Sequence, residues 1–216
     1  MNIEQARFNM IEQQIRPWDV LDQGVLGLLA VVRREDFVPP AHRALAFMDT
    51  EVPLPEGENM LAPRVEARLL QALQVQRHER VLEIGAGSGF MAALLGHRAQ
   101  SVVTLEIKET LARLATENLR RAGMGNVTVV NADGCHGYAA EAPFDAIVLS
   151  GSVAKVPSEL LAQLKPGGRL VAIEGDDPVM SAVRYTSEAG GVVRTPMVEI
   201  NAKRLVGFPD TPRFQF

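Results

Sequence analysis

Apolar positions recur along the chain with two periods, and the change from one to the other sets the expected architecture. Ile3, Phe8, Ile11 and Ile15 stand at near-helical spacings and predict a helix over 3–16, and Val20 to Val32 reads as a second. Phe37-Val38-Pro39-Pro40 stops it, and a proline- and acid-rich stretch from Asp49 to Asn59 reads as a linker. Pro63 suits the first turn of another helix, which carries Val65, Leu69, Leu70 and Leu73. Short apolar runs then take over. Val81 to Ile84, Val102 to Glu106, Val127 to Asn131, Phe144 to Leu149 and Arg169 to Ile173 predict five strands, the last preceded by the turn Pro166-Gly167-Gly168. Between the second and third strands, Leu111, Leu114, Ala115, Leu119 and Ala122 line one face of a helix that Gly123 caps. Val179 to Thr186 and Val192 to Ile200 flank Ala189-Gly190-Gly191 as an antiparallel hairpin. The alternation predicts an α/β fold: a doubly wound, mostly parallel sheet with amino-terminal helices and a carboxyl-terminal antiparallel hairpin. A single domain is expected, with a helical amino-terminal segment and linker over 1–62, an α/β body over 63–174 and carboxyl-terminal strands over 175–216.

Composition removes several alternatives. At 216 residues and 47% apolar, the chain buries a sizeable core without metal or disulfide support. A net charge of −4 offers no broad basic surface, so nucleic acid is not an expected partner. The single cysteine, Cys135, has no intrachain partner, which suits a reducing cytoplasm, and it reads as a small buried filler. His42, His78, His97 and His136 show no metal-ligand spacing, and no metal is expected. Glu4, Arg7, Glu12, Arg16 and Asp19 break any secretory apolar run, and the greasy stretch Gly24 to Val32 is too short to span a bilayer.

The chemistry concentrates after the first strand. Val81-Leu82-Glu83-Ile84-Gly85-Ala86-Gly87-Ser88-Gly89 is a buried strand ending in alternating glycines, a loop that a nucleotide-like ligand can approach closely, with a helix expected from about Ser88. Counted from Gly85, the dinucleotide fingerprint needs a small residue where Phe90 stands, which disfavours NAD. Glu106, seventeen positions after Gly89, ends the next strand where a ribose-binding acid belongs, with Ile107 beside it. The third strand runs into Ala132-Asp133-Gly134, where Asp133 can accept from an exocyclic amine and Gly134 lets a ring lie close. Each feature alone has an ordinary explanation as a tight turn or a solvated strand-end charge. Their joint spacing is the specific signal.

An acid two residues before G-x-G-x-G resembles motif I of the S-adenosylmethionine-dependent methyltransferases. Further segments narrow this: Met10-Ile11, R-R-E-D-F-V-P from Arg33 to Pro39, Met48-Asp49, V-P-L-P from Val52 to Pro55, A-P-F-D-A-I-V from Ala142 to Val148, and Q-L-K-P-G-G-R-L-V from Gln163 to Val171. Together they resemble the protein-L-isoaspartate O-methyltransferase family. The resemblance implies a Rossmann-like class I methyltransferase fold, S-adenosyl-L-methionine as cofactor, and carboxyl methylation of damaged aspartyl residues in a protein or peptide substrate. It implies cofactor contacts at Glu83, Gly85, Ala86, Gly87, Ser88, Gly89, Glu106, Ile107, Asp133 and Gly134. No side chain is singled out as catalytic, because a carboxylate is already ionised at neutral pH and positioning supplies most of the rate.

One segment departs from the family. Where relatives carry T-I-S-Q-P, with a serine that helps hold the acceptor carboxylate, this chain has Asn59-Met60-Leu61-Ala62-Pro63, and no Ser or Thr occurs between Thr50 and Ser88. Leucine has no hydrogen to donate, so feeble isoaspartyl turnover is expected, with Met60 and Leu61 as candidate substrate-binding positions. The alternatives are a methyltransferase for another acceptor or a cofactor-binding module without catalysis. Leu149-Ser150-Gly151-Ser152-Val153 lacks the N-P-P-Y or D-P-P-Y segment that amino-group methylation of bases typically uses.

Overall fold

Pro63 opens a helix because its missing amide hydrogen is not needed there and its fixed φ suits the first turn. In the computed structural model, which describes residues 2–210, that helix is preceded by α1 (Ile3–Asn9) and α2 (Gln23–Val31) and by a two-stranded hairpin, β1 (Val52–Pro53) and β2 (Asn59–Met60). It is α3 (Pro63–Leu73), followed by β3 (Arg80–Ile84), α4 (Phe90–Gly96), β4 (Ser101–Glu106), α5 (Glu109–Arg121) and β5 (Val127–Asn131). The rest comprises β6 (Phe144–Val153), α6 (Ser158–Leu161), β7 (Leu164–Asp176), β8 (Val179–Glu188) and β9 (Gly191–Glu199). Met1 and positions 211–216 of the expected terminal segments lie outside the described residues.

The seven-stranded sheet has the order β5-β4-β3-β6-β7-β8-β9. The strands from β3 to β7 pair in parallel, whereas β8 and β9 return antiparallel, as the apolar pattern predicts. Order reverses between β3 and β6, so the loops leaving these two neighbours diverge to opposite faces and leave a crevice at their carboxyl ends. One apolar core packs α2, α3, α4 and α5 with the amino-terminal helix on one face, through Ile15, Leu29, Leu69, Leu73 and Leu94. A second, around Phe144, Leu160, Leu170 and Cys135, fills the other. Among the described residues no helix is long and apolar enough to cross a membrane.

Several details differ from expectation for identifiable reasons. The amino-terminal helix widens into π-type turns over Met10–Ile15, which keep Met10, Ile11 and Ile15 on the buried face. Helix α4 starts at Phe90 rather than Ser88, because Gly89 adopts φ +85°, outside the helical region. A Cβ on Gly89 would come within 3.2 Å of Leu119, so this glycine, and not residue 90, allows the close contact between α4 and α5. Ala122 is exposed at the end of α5, and Asn118 takes a buried place on that helix by donating to the Ser88 carbonyl at 2.8 Å. The stretch read as a linker is the β1–β2 hairpin, closed by Leu54 N–H to the Glu58 carbonyl at 2.7 Å, with Val52 and Met60 buried. Pro166-Gly167-Gly168 is absorbed into β7 as an irregularity.

Arg34 fastens the amino-terminal segment to the body. It is 1% exposed, pairs with Glu66 of α3, and donates to the Ala46 carbonyl at 3.0 Å and the Leu61 carbonyl at 2.7 Å. Its guanidinium also lies 5.1 Å over the Phe90 ring. Burial lowers the Arg34 pKa and raises that of Glu66 to about 7. Replacing Arg34 by Met leaves Glu66 buried without its cation, and urea unfolding should show a loss of about 3–5 kcal/mol. Adding Glu66→Leu should recover part of it; a single variant as stable as the parent would show that the pair anchors nothing.

Candidate active site

The glycine loop after β3, the second half of β6 and the end of β4 together form a cleft. Ile84, Gly85 and Gly87 supply one wall, Leu105, Glu106, Ile107 and Lys108 a second, and Ser150 and Gly151 a third. The space is about 620 Å³ including its solvent mouth, but only about 60 Å³ of it admits the centre of a water molecule. It is narrow because segment 203–208 crosses over it. Leu205 N–H donates to the Ser152 carbonyl at 2.9 Å, Ser152 N–H donates to the Lys203 carbonyl at 2.8 Å, Leu205 packs against Gly85, and Val206 and Phe208 also line the cleft. The hairpin meets this strap at Lys203, whose Nζ donates to the Gly57 carbonyl beside Glu58. Glu58 accepts from Lys108 Nζ at 2.6 Å and lies 3.4 Å from Lys203 Nζ.

Glu106 is 6% exposed, and both of its carboxylate oxygens are oriented by backbone: Oε2 accepts from Gly87 N–H at 2.9 Å, and Oε1 accepts from Lys108 N–H at 3.0 Å. Each oxygen keeps a lone pair for a ligand. Glu83 is different. It is fully buried and lines a smaller inner cavity, together with Ala86, Ser88, Met60, Leu61, Glu66 and Ser150. Its Oε2 faces the Thr104 hydroxyl at 2.7 Å and its Oε1 the Ser150 hydroxyl at 2.7 Å. Burial pushes its carboxyl up to about 8; the two hydroxyls oppose this, whereas Glu66 and Glu106 add to it.

The residues singled out from sequence therefore separate. Gly85, Gly87, Glu106, Ile107 and Gly134 line the cleft, and Leu61 lines both cleft and inner cavity. Glu83, Ala86, Ser88 and Met60 face only the inner cavity, and Gly89 is committed to the α4–α5 contact. Asp133 is outside the cleft lining: its Oδ1 accepts from the Cys135 N–H at 2.9 Å, and its carboxylate packs beside Gly207. Sequence reasoning missed Glu58, Lys108, Ser150 and Lys203, which come together only through the fold. Ser150 alone carried a signal, being the first polar residue after the apolar run of the fourth strand.

The profile of the family described as "Protein-L-isoaspartate(D-aspartate) O-methyltransferase" matches residues 5–199. The chain belongs to this family. It is 38% identical to a protein-L-isoaspartate O-methyltransferase of Methanoculleus marisnigri, over 93% of this chain and 91% of that one. It is 44% identical to one of Rhodopseudomonas palustris, over 82% of each. A solved protein-L-isoaspartate O-methyltransferase superposes with a TM-score of 0.77 at 23% identity, covering 95% of this chain and 66% of that one. A Plasmodium falciparum structure under the same enzyme name, in complex with S-adenosyl-L-homocysteine, gives 0.75 at 20% identity, covering 94% and 97%. At these identities the two structures establish the fold.

Glu83 gives a pH test of the site's electrostatics. Its folded pKa lies above the unfolded carboxylate value, so the native state holds a proton that the unfolded chain has released. Its contribution is present below the unfolded pKa and is lost as pH rises towards about 8. Denaturant titrations from pH 5 to 9 should show the parent losing stability relative to Glu83→Gln up to about pH 8 and the difference levelling off beyond. Parallel curves would place an ionised carboxylate there throughout.

Proposed function

We propose that this chain methylates the α-carboxylate of isoaspartyl residues in a protein or peptide, using S-adenosyl-L-methionine, and that it does so in a cytoplasmic setting consistent with its single, unpaired Cys135. The observation that carries the reading is Glu106: a buried carboxylate at the end of β4, held by the glycine loop's own amide, facing a cleft at the sheet's switch point.

The residues present fit that cofactor. A Cβ at Gly134 would collide with Ile84, and one at Gly85 would come 2.8 Å from Leu205, so both glycines are required by close packing in the cleft wall. Glu106 is the acceptor for ribose hydroxyls, Gly85 and Gly87 supply close backbone approach, and Gly134 stands in the same cleft wall. A nucleoside-sized ligand needs roughly 300 Å³ or more, and strap 203–208 narrows the space it would enter. When bound, S-adenosylmethionine supplies a methyl group on a positively charged sulfur; its transfer to a carboxylate oxygen breaks the carbon–sulfur bond, leaves the electron pair on a neutral thioether and moves no proton. The protein's task is then to orient the carboxylate and exclude water. Leu61, 6% exposed and common to cleft and cavity, does the second and cannot do the first.

Methyl transfer to a peptide containing isoaspartate, beside the same peptide with normal aspartate, tests the reading. Ester should form on the first alone; equal labelling of both, or of neither, would overturn it. Glu106→Ala should weaken S-adenosylhomocysteine binding by about 1.5–3 kcal/mol in calorimetric titration, through loss of a charged acceptor, while the fold survives. An unaltered dissociation constant would reduce Glu106 to a brace for the glycine loop.

A further inference from the structure

The cleft and the inner cavity share five wall residues, Asn59, Leu61, Gly85, Gly87 and Ser150. Only Ser150 among them carries a hydroxyl. It is aimed there by a bulge: Val148 pairs with Val171 and Ser152 with Ile173, so four steps along β6 match two along β7. Extra residues of this kind bend a strand and re-aim its side chains. Ser150 is half-buried, its Cβ lies 3.8 Å from where a Cβ on Gly85 would stand, and it occupies the switch point itself. We propose that the Ser150 hydroxyl holds the acceptor carboxylate, supplying the hydrogen bond that Leu61 lacks, with Glu83 as the positioning residue behind it. The proposal rests on the methyl-transfer reading.

The hydrogen placement follows from exposure. Thr104 is fully buried and its hydroxyl faces Glu83 Oε2, to which it donates. A proton held by Glu83 is then best placed on Oε1, where it is donated to Ser150 Oγ and frees the serine hydrogen to point into the cleft. With Glu83 ionised, Ser150 spends its hydrogen on Glu83 and presents only lone pairs, and two carboxylates approach across one hydroxyl. The charged groups around Glu83 favour its proton: Glu66 of α3, paired with Arg34 from the turn that follows α2, and Glu106 of β4. Burial, which places its pKa at about 8, acts in the same direction. The acceptor loses its negative charge as the ester forms, so a donor to it contributes most before the transfer. Loss of that donor therefore raises KM more than it lowers kcat.

The experiment compares the parent with Ser150→Ala, Ser150→Thr and Glu83→Gln, all titrated with S-adenosylhomocysteine before kinetics on isoaspartyl peptide. Ser150→Ala should raise the peptide KM about tenfold or more, a larger loss than any weakening of S-adenosylhomocysteine binding, with kcat changed less. Ser150→Thr should restore most of the affinity. The parent's KM should climb above about pH 8, and Glu83→Gln, whose amide donates to Ser150 at any pH, should abolish the climb. A KM in Ser150→Ala equal to the parent's overturns the serine assignment while leaving the methyl-transfer reading intact. A climb that persists in Glu83→Gln overturns the positioning role. A parent that makes no ester on any isoaspartyl peptide overturns both readings. If Ser150→Ala fails to fold, Ser150→Cys, similar in shape and a weak donor, takes its place under the same criteria.

Discussion

The reversal of strand order between β3 and β6 is the constraint from which the site follows. Two parallel neighbours whose connections leave on opposite faces cannot cover their shared carboxyl end, and the chain has to line that crevice with whatever stands at the last positions of each strand. Here Gly85, just past the end of β3, stands on one side and Ser150, in the bulged part of β6, on the other, with Glu83 buried behind them. The Glu83 carboxyl bridges β3 to both neighbours through Thr104 of β4 and Ser150 of β6. A polar group at the centre of a parallel sheet is costly unless satisfied, and its satisfaction ties three strands together at the level where chemistry takes place.

The amino-terminal third depends on the same region through Arg34. Its guanidinium reaches Glu66, Leu61 and Ala46, so the backbone that presents Leu61 to the cleft is fixed by a residue 27 positions away in sequence. The apolar replacement at Leu61 thus sits on a rigid support. Under the proposed function this separates two tasks, sealing the cleft against water and orienting a charged acceptor, and places them on different elements.

The central strands of the body were legible because parallel strands buried on both faces read as apolar runs, and the run Val102–Glu106 falls one residue short of its strand, Ser101–Glu106. Helix α5 was legible through its period, apart from Ala122, where the helix ends before that face reaches the core. The β1–β2 hairpin was not, since two-residue strands are too short for any alternation to show. Glu106 could be found by its place after the glycine loop. Glu58 and Lys203 could not: 145 positions separate them, and neither lies in a pattern that a single charge would disturb. Ser150 escaped because a bulge is a mismatch between two strands, and one strand's sequence does not contain its partner's register.

The Lys108–Glu58–Lys203 contact has a kinetic consequence. One carboxylate links the hairpin to the end of β4 and to the strap, and the same two lysines also donate to the Glu56 and Gly57 carbonyls of the hairpin, so the hairpin is the common partner of both. A nucleoside beneath this roof would have to part Lys203 from Glu58 and Gly57 before the strap could lift away from the hairpin, so its rate of leaving would depend on contacts that it does not itself touch.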